Sequence, residues 1–204
     1  MEARKPIRRV PETLPPEMVE GNPAMKAAAE AQKDIPTATL EDLETCDGLV
    51  LGTPTRFGNM AAQMKAFIDG TGGLWVKGSL ADKPVGFFCG SNTLHGGQET
   101  TLLSSYIPML HHGMLIVELP PTVPELPEVN KGGSFYGASA VVGSRGGNPP
   151  TETTWLSLRL LASGLLRWHP SSEDSNPVTK PTSTTPRSQN PPMGNSLNFP
   201  LTGR

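Results

Sequence analysis

The chain has few cysteines, few aromatic residues and no long apolar segment among its 204 residues. Its two cysteines, Cys46 and Cys89, are too few for a disulfide framework and fit a reducing compartment. No apolar run approaches the roughly 18 residues that mark a membrane-spanning helix, and the first residues do not resemble a signal peptide. We therefore expect a cytoplasmic protein that has no transmembrane segment.

The chain also lacks a large excess of either charge, since its formal net charge is −2. A nucleic-acid-binding surface needs a concentrated stripe of Lys and Arg, and the one short basic cluster, at residues 4–9, is too small for this role. The His and Cys residues do not show the spacing of a zinc site, so we expect no bound metal. Ser104 and Ser105 lack the strand–turn–helix context of a hydrolase nucleophile.

Proline and glycine, in contrast, are abundant, with 22 residues of each. Seven of the prolines lie in residues 169–204, which otherwise consist mainly of Ser, Thr, Asn and isolated charges. Such a segment cannot bury enough apolar surface to offset the entropy lost on ordering, so we predict a disordered tail at 169–204. The remainder is predicted to form one domain at residues 1–150, followed by a helix at residues 151–168.

Apolar patterning in the middle of the chain predicts strands that alternate with helices. Continuous apolar runs predict buried strands at residues 47–53, 85–90 and 114–119. Helical periodicity and capping signals predict helices at residues 24–32, 39–44, 60–68, 98–112 and 151–168. We expect Thr39 and Asn59 to cap two of them, glycines to end helix 60–68 and Pro108 to kink or shorten helix 98–112. The alternation favours an α/β fold with a doubly wound parallel sheet.

The segment 52–60, with the sequence Gly-Thr-Pro-Thr-Arg-Phe-Gly-Asn-Met, directly follows the first predicted strand. Loops at the carboxyl ends of parallel strands diverge and leave a crevice in which open α/β sheets bind flat cofactors. A Gly/Pro-rich loop that carries one arginine and one aromatic residue, Arg56 and Phe57, suits such a crevice. The sequence therefore predicts a ligand site at this edge of the sheet. The alternative is that Arg56 is a surface residue of a turn.

Five short motifs occur in order between residues 53 and 138, and an N-terminal one precedes them, at residues 9–16. The five are Thr53-Pro-Thr-Arg-Phe-Gly-Asn59, Thr71-Gly-Gly-Leu-Trp75, His95-Gly-Gly-Gln-Glu-Thr100, His111-His-Gly-Met114 and Gly132-Gly-Ser-Phe-Tyr-Gly-Ala138. Together these motifs resemble the WrbA family of NAD(P)H:quinone oxidoreductases. That resemblance implies a flavodoxin-like fold, FMN as the cofactor, NAD(P)H and quinone as substrates, and a homotetramer.

The resemblance also implies roles for particular residues. Thr55, Arg56 and Phe57 would line the FMN ring, and the loop after the second strand would wrap its other side with backbone amides. That loop comprises Gly90, Ser91, Asn92, Thr93, Leu94 and His95. His111 would reach the ring edge from a neighbouring subunit, and Trp75 would face the place where nicotinamide or quinone stacks. The alternatives are that Trp75 is a core residue and that His111 stabilises the C-terminal end of a helix. No residue is assigned a catalytic role of its own, because the hydride chemistry belongs to the cofactor.

The resemblance covers residues 6–149, and the chain departs from the family pattern at both ends. The family begins with a central strand, a helix and a Ser-x-x-Gly-His loop that holds the FMN phosphate at a helix N-terminus. Only eight residues precede Arg9 here. We therefore expect a flavodoxin-like sheet that lacks its first, central strand and its first helix. After Arg145 the sequence no longer resembles the last helix of the family.

Two functions follow from these observations. The first is an FMN-dependent NAD(P)H dehydrogenase that reduces quinones by two-electron hydride transfer. The alternative is a non-catalytic relative that cannot hold the FMN phosphate and acts only as an assembly partner, or has no function. A one-electron flavodoxin-type carrier is disfavoured, because the chain lacks the strongly acidic character of such carriers.

Overall fold

A computed structural model of the protein describes residues 7–121, 133–144 and 147–167. The described helices are α1 (Pro16–Glu20), α2 (Pro23–Ala31), α3 (Leu40–Thr45), α4 (Ala62–Asp69), α5 (Gly72–Lys77), α6 (Gln98–His111) and α7 (Glu152–Arg167). The described strands are β1 (Leu49–Pro54), β2 (Pro84–Ser91), β3 (Leu115–Ile116) and β4 (Ala138–Val141). The predicted tail at residues 169–204 lies outside the described residues.

All four strands run parallel, and β2 is the central one. One edge of β2 pairs with β1 along its length, with Leu49 opposite Val85 and Pro54 opposite Gly90. The other edge pairs with β3 near the start of β2 and with β4 along its second half. Among the described residues β1 pairs only with β2, so its outer edge carries no neighbouring strand. The absence of the family's first strand and helix stays a prediction.

Helices cover the two faces of β2, as the alternation of its side chains requires. Val85, Phe87 and Cys89 point to one face, where they join a buried cluster with side chains from α4, α5 and α6. The intervening Gly86 lies under Leu161 of α7, which is fully buried on the opposite face. This arrangement is the predicted α/β fold with a doubly wound parallel sheet, and the carboxyl ends of β1, β2 and β4 meet at one edge.

Several elements agree with the sequence patterns. The predicted helices at residues 24–32, 39–44 and 98–112 are confirmed as α2, α3 and α6, and the helix expected from residue 151 is α7. Thr39 caps α3 through a complete capping box, in which its hydroxyl accepts from the Asp42 N–H and the Asp42 carboxylate accepts from the Thr39 N–H. The first two predicted strands are confirmed as β1 and β2.

Asn59 does not cap α4, contrary to the prediction, because Ala61 holds that position. The backbone of Asn59 is already committed to a turn, since its N–H and carbonyl both pair with Arg56. The Ala61 N–H is instead bound by the hydroxyl of Thr53, at 2.9 Å. Pro108 does not shorten α6 either. It lies in the last turn of the helix, where a missing N–H removes a single backbone hydrogen bond.

Two further differences concern strands and glycines. The strand expected at 114–119 is reduced to two residues, and β4 at Ala138–Val141 takes the rest of the same edge of β2. The glycines after α4 end that helix as predicted, but Gly72 and Gly73 then begin α5. Glycine costs a helix about 1 kcal/mol per residue relative to alanine through backbone entropy, which tertiary packing can offset, so a Gly-Gly pair does not exclude a helix start. None of the described helices is long and apolar enough to cross a membrane.

Candidate functional site

A cavity of about 320 Å³ opens at the carboxyl ends of β1, β2 and β4. Its lining residues come from the last residues of β1 and β2 and from the segments that follow these three strands, and they are Pro54, Thr55, Arg56, Gly90, Ser91, Asn92, Thr93, Gly96 and Val142. This volume is at the lower end of the range for small-molecule and cofactor sites. The crevice beyond the strand ends is also the position at which open parallel sheets bind ligands.

The first wall of the cavity belongs to a tight turn at residues 55–59. The Arg56 N–H donates to the Asn59 carbonyl at 2.7 Å, and the Asn59 N–H donates to the Arg56 carbonyl at 3.0 Å. The two residues between them, Phe57 and Gly58, both have positive φ, at 53° and 77°. A turn of this kind is strained for an aromatic residue and points the Phe57 side chain into solvent, where it is fully exposed.

The second wall is the loop between β2 and α6. The Thr93 carbonyl accepts two hydrogen bonds, from the hydroxyl of Ser91 at 2.7 Å and from the amide nitrogen of Gln98 at 3.0 Å. Gly96 is required close to this carbonyl, because a Cβ there would lie 2.8 Å from the Thr93 oxygen. The loop backbone therefore has a fixed shape. It lies outside the hydrogen-bonded part of the sheet, so its N–H groups can donate hydrogen bonds to a ligand.

The structure brings most of the predicted FMN-ring residues together. Six of the sequence-predicted residues line the cavity, namely Thr55, Arg56, Gly90, Ser91, Asn92 and Thr93. Phe57, Leu94 and His95 come from the same loops but do not line it. All three are exposed at the tips of the loops, and His95 also has a positive φ of 53°.

Trp75 and His111 lie together, but far from this cavity within one chain. The indole nitrogen of Trp75 donates to the His111 carbonyl at 2.8 Å, at the C-terminal end of α6. The cavity lies beside the N-terminal end of the same helix of 14 residues, so the two places are separated by about 20 Å at 1.5 Å per residue. If either residue serves the cavity, it serves the cavity of another subunit. His112, the C-cap of α6, is also anchored, through a 2.8 Å contact between its Nε2 and the Thr71 hydroxyl.

Three residues that line the cavity or contact its walls were not identified from the sequence. Val142, just after β4, lines the cavity because the strand at 138–141 places it there. Thr101 and Gln98 are buried in the first turn of α6 and contact the two walls. Gln98 lies within the motif at residues 95–100 but was assigned no role, and Thr101 lies just beyond that motif. The partner of a polar residue on a helix face becomes visible only in three dimensions.

A buried cysteine and a half-buried glutamate lie near the sheet without lining the cavity. Burial raises the pKa of the Cys89 thiol to about 12, so this residue is protonated at neutral pH and chemically inert. Burial also raises the pKa of Glu118 to about 7, although the nearby Tyr106 hydroxyl opposes the shift. Tyr106 donates its hydroxyl to the Tyr136 carbonyl at 2.8 Å, and both Glu118 carboxylate oxygens are buried with no hydrogen-bond partner in the described part of the chain.

The fold and the cavity define a class of protein: a parallel α/β protein with a cavity beyond the carboxyl ends of its strands. Residues 10–120 match the NADPH-dependent FMN reductase family. A protein of Solidesulfovibrio magneticus named NAD(P)H dehydrogenase (quinone) is 49% identical over 149 residues, which cover 72% of each chain. A protein of Geobacter sulfurreducens with the same name is 48% identical over 151 residues and covers the same shares.

The chain therefore belongs to the NADPH-dependent FMN reductase family, and the relationship inferred from the ordered motifs is confirmed. Among solved structures, a flavodoxin, WrbA-like protein from Agrobacterium tumefaciens is similar to this chain with a TM-score of 0.47 and 23% identity. That similarity covers 71% of this chain and 88% of the solved one.

The residues of the cavity fit the flat ring of FMN better than its phosphate. Two loop walls of mainly backbone and hydroxyl character can enclose a ring and offer hydrogen bonds to its polar edge. Arg56 is the only charged residue among those that line the cavity, and its Nη1 donates to the Thr55 carbonyl at 2.9 Å. This contact keeps the guanidinium beside the first wall, where it can stabilise negative charge on a bound ring.

Proposed function

We propose that this protein is an FMN-dependent NAD(P)H dehydrogenase that reduces quinones. The observation that carries the proposal is the cavity at the strand ends, whose lining combines the Thr55-Arg56 turn with the Gly90–Thr93 loop. Membership of an FMN reductase family and close relatives named NAD(P)H dehydrogenase (quinone) support it. FMN, when bound, supplies the two-electron chemistry that connects NAD(P)H with a quinone.

The chain's own residues would bind and orient the reactants. Thr55 and Arg56 would hold one side of the ring and residues 90–95 the other, while Arg56 would favour the negatively charged reduced form. Phe57, exposed at the tip of its turn, would add an apolar aromatic surface for the flat nicotinamide or quinone. Trp75 and His111 would contribute from a neighbouring subunit, because within one chain they lie at the far end of α6.

A homotetramer is part of this proposal. Leu103, Ile107 and Leu110 form an exposed apolar stripe along α6, at positions i, i+4 and i+7. Trp75 and Val76 of α5, which are also exposed, lie beside the C-terminal end of this helix. Exposed apolar surface of this kind is typical of an interface between subunits. We also propose a cytoplasmic location, which suits the two free cysteines.

The first experiment is a titration of the purified chain with FMN and, separately, with riboflavin, followed by flavin fluorescence and visible absorption. Saturable binding of FMN and then FMN-dependent reduction of benzoquinone by NADH or NADPH would support the proposal. Equal affinities for FMN and riboflavin would show that the ring alone is held and that the phosphate has no binding site. A folded, monodisperse chain that binds neither compound would contradict the proposal.

The second candidate function is a non-catalytic assembly partner. Two observations favour it: Arg56 is the only cation that lines the cavity, and the outer edge of β1 is unpaired among the described residues. Co-expression with the Geobacter sulfurreducens relative tests this idea, because a partner of this kind would form mixed oligomers. Separate homo-oligomers, together with FMN-dependent activity of this chain alone, would exclude it.

A further inference from the structure

The first turn of α6 carries two buried polar side chains that face the cavity walls. Gln98 is 3% exposed and Thr101 is 0% exposed. Residues three apart lie on the same face of a helix, so both side chains point from one turn towards the ends of β1 and β2. Neither residue lines the cavity itself. Buried polar groups need specific partners, and each of these finds its partner in a different wall.

Thr101 holds the first wall. Its hydroxyl lies 2.6 Å from the hydroxyl of Thr55 and 3.5 Å from the carbonyl of Asn59. Asn59 closes the turn with Arg56, and Thr55 directly precedes this turn. A single buried hydroxyl therefore contacts both sides of the turn. Its loss would loosen the turn relative to α6 and leave the 3.4 Å contact of the Thr55 hydroxyl with the Gly97 carbonyl.

Gln98 holds the second wall. Its amide nitrogen donates to the Thr93 carbonyl at 3.0 Å, and its amide oxygen is buried without a hydrogen-bond partner among the described residues. An unpaired buried acceptor costs free energy that an apolar side chain of similar size would avoid. The compensating feature is the fixed shape of the loop that ends at Gly96, where a Cβ would lie 2.8 Å from the Thr93 oxygen.

The backbones at the start of α6 and in the turn at residues 55–59 lie in close contact. Gly97, the N-cap of α6, has φ of 95°, and a Cβ there would lie 2.9 Å from the Cα of Gly58. Backbone therefore meets backbone at this point, and neither segment can shift towards the other. The start of α6 is in direct contact with both walls of the cavity.

We propose that Thr101 and Gln98 are positioning residues, which fix the separation of the two cavity walls and thereby set the affinity for the flavin ring. This inference rests on the proposed function. Its structural part, that the two side chains hold the two loops, stands on the hydrogen bonds alone and is measurable in the chain without any ligand.

The test compares Thr101→Val with Thr101→Ser and Gln98→Met, and uses Ser105→Ala as a matched control. Ser105 is also 0% exposed, and its hydroxyl donates within α6 to the Thr101 carbonyl at 2.6 Å, so its loss affects the helix but neither loop. In hydrogen exchange of the ligand-free chain, Thr101→Val should accelerate exchange at residues 55–59, and Gln98→Met at residues 92–96. Thr101→Ser and Ser105→Ala should leave both loops unchanged.

The second readout is the affinity for FMN. Loss of one hydrogen bond that contributes about 0.5–1.5 kcal/mol should raise Kd by about 2- to 12-fold in Thr101→Val. Equal effects of Thr101→Val and Ser105→Ala on exchange at residues 55–59, or no effect of either, would overturn the inference. A wild-type chain that binds no flavin would instead contradict the proposed function, while the exchange data would still decide whether these residues position the loops.

Discussion

The indole nitrogen of Trp75 donates a 2.8 Å hydrogen bond to the backbone carbonyl of His111. This bond joins the short helix α5 to the C-terminal end of α6, where the helix leaves backbone carbonyls without intrahelical donors. The hydrogen bond holds the indole ring in place. More than half of the Trp75 side chain remains exposed, so most of its surface can contact another molecule. Two residues that the resemblance assigns to the flavin site thus lie side by side on the surface of the chain.

Replacement of Trp75 by phenylalanine tests this anchor. Trp75→Phe keeps an aromatic ring but removes the donor, and we expect the free energy of unfolding to fall by about 1 kcal/mol. Chemical denaturation by urea measures the change. Trp155→Phe is the control, because Trp155 is similarly exposed and its indole nitrogen has no hydrogen-bond partner among the described residues. Equal losses in the two variants would argue against a stabilising role for the Trp75 bond.

Packing of α7 against the sheet depends on the absence of a side chain at position 86. An added Cβ at Gly86 would lie 2.5 Å from the Leu161 side chain and 3.1 Å from the Val117 carbonyl. Gly86→Ala should therefore destabilise the fold by about 1–3 kcal/mol through overpacking. Gly73→Ala should do the opposite, because Gly73 lies in α5 with nothing within 4 Å of the added atom, and alanine favours a helix by up to about 1 kcal/mol. Thermal melting of both variants measures whether stability falls in Gly86→Ala and rises in Gly73→Ala. A more stable Gly86→Ala variant would contradict the packing of α7 against the sheet.

Glu118 should make stability depend on pH near neutrality. Its folded-state pKa is raised to about 7 by burial, above the usual carboxyl value of 4.5. The folded chain therefore binds a proton that the unfolded chain has released, so this contribution is present in full below the unfolded pKa and is lost as pH rises through 7. Because the group is only partly shielded from water, we expect a loss of about 1–2 kcal/mol between pH 5 and pH 8.

Glu118→Gln should remove this component, because glutamine does not titrate. Urea denaturation at a series of pH values measures the slope in both proteins. The exposed Glu152 in the first turn of α7 provides the control, since Glu152→Gln should leave the slope near pH 7 unchanged. A wild-type chain that becomes more stable between pH 6 and pH 8, with Glu118→Gln following the same curve, would rule out this role for Glu118.

Arg56 should matter more for the reduced than for the oxidised flavin. If its guanidinium stabilises the negatively charged ring by about 1–3 kcal/mol, Arg56→Gln should lower the two-electron midpoint potential of bound FMN by about 20–60 mV. Spectroscopic titration against dyes of known potential measures the shift, and Arg56→Lys should recover part of it. Arg159→Gln, on α7 and away from the cavity lining, is the control. An unchanged potential in Arg56→Gln would show that the arginine does not face the ring.

Part of the site was predictable because it is contiguous in sequence. Thr55 and Arg56 directly follow β1, and Gly90 to Thr93 span the end of β2 and the start of the next loop. The family resemblance assigned all six residues to one site, and each set is contiguous in the chain. The remaining members of the lining were not predictable in this way. Val142 depends on β4, whose four residues lie in a Gly-rich region and show no alternation that marks a strand.

The starts of the helices likewise include some that are encoded locally and some that depend on tertiary contacts. Thr39 and Asp42 form a local capping box, so the start of α3 is encoded within four residues. The start of α4 is not local, because the Ala61 N–H binds the Thr53 hydroxyl from the preceding strand, while Asn59, the better capping residue by type, is engaged in a turn. Prediction of the wrong cap followed from treating a tertiary contact as a local one.

The sequence by itself determined the alternation of strands and helices, the family and the identity of the two loops that form the cavity. These depend on short-range signals: apolar runs, caps and contiguous motifs. Only the tertiary structure decided that β3 and β4 share one edge of β2, that Thr101 and Gln98 hold the cavity walls, and that Trp75 and His111 lie about 20 Å from the cavity within one subunit. The physical reason is that these relationships join residues distant in the chain, and such contacts depend on packing geometry that no local pattern contains.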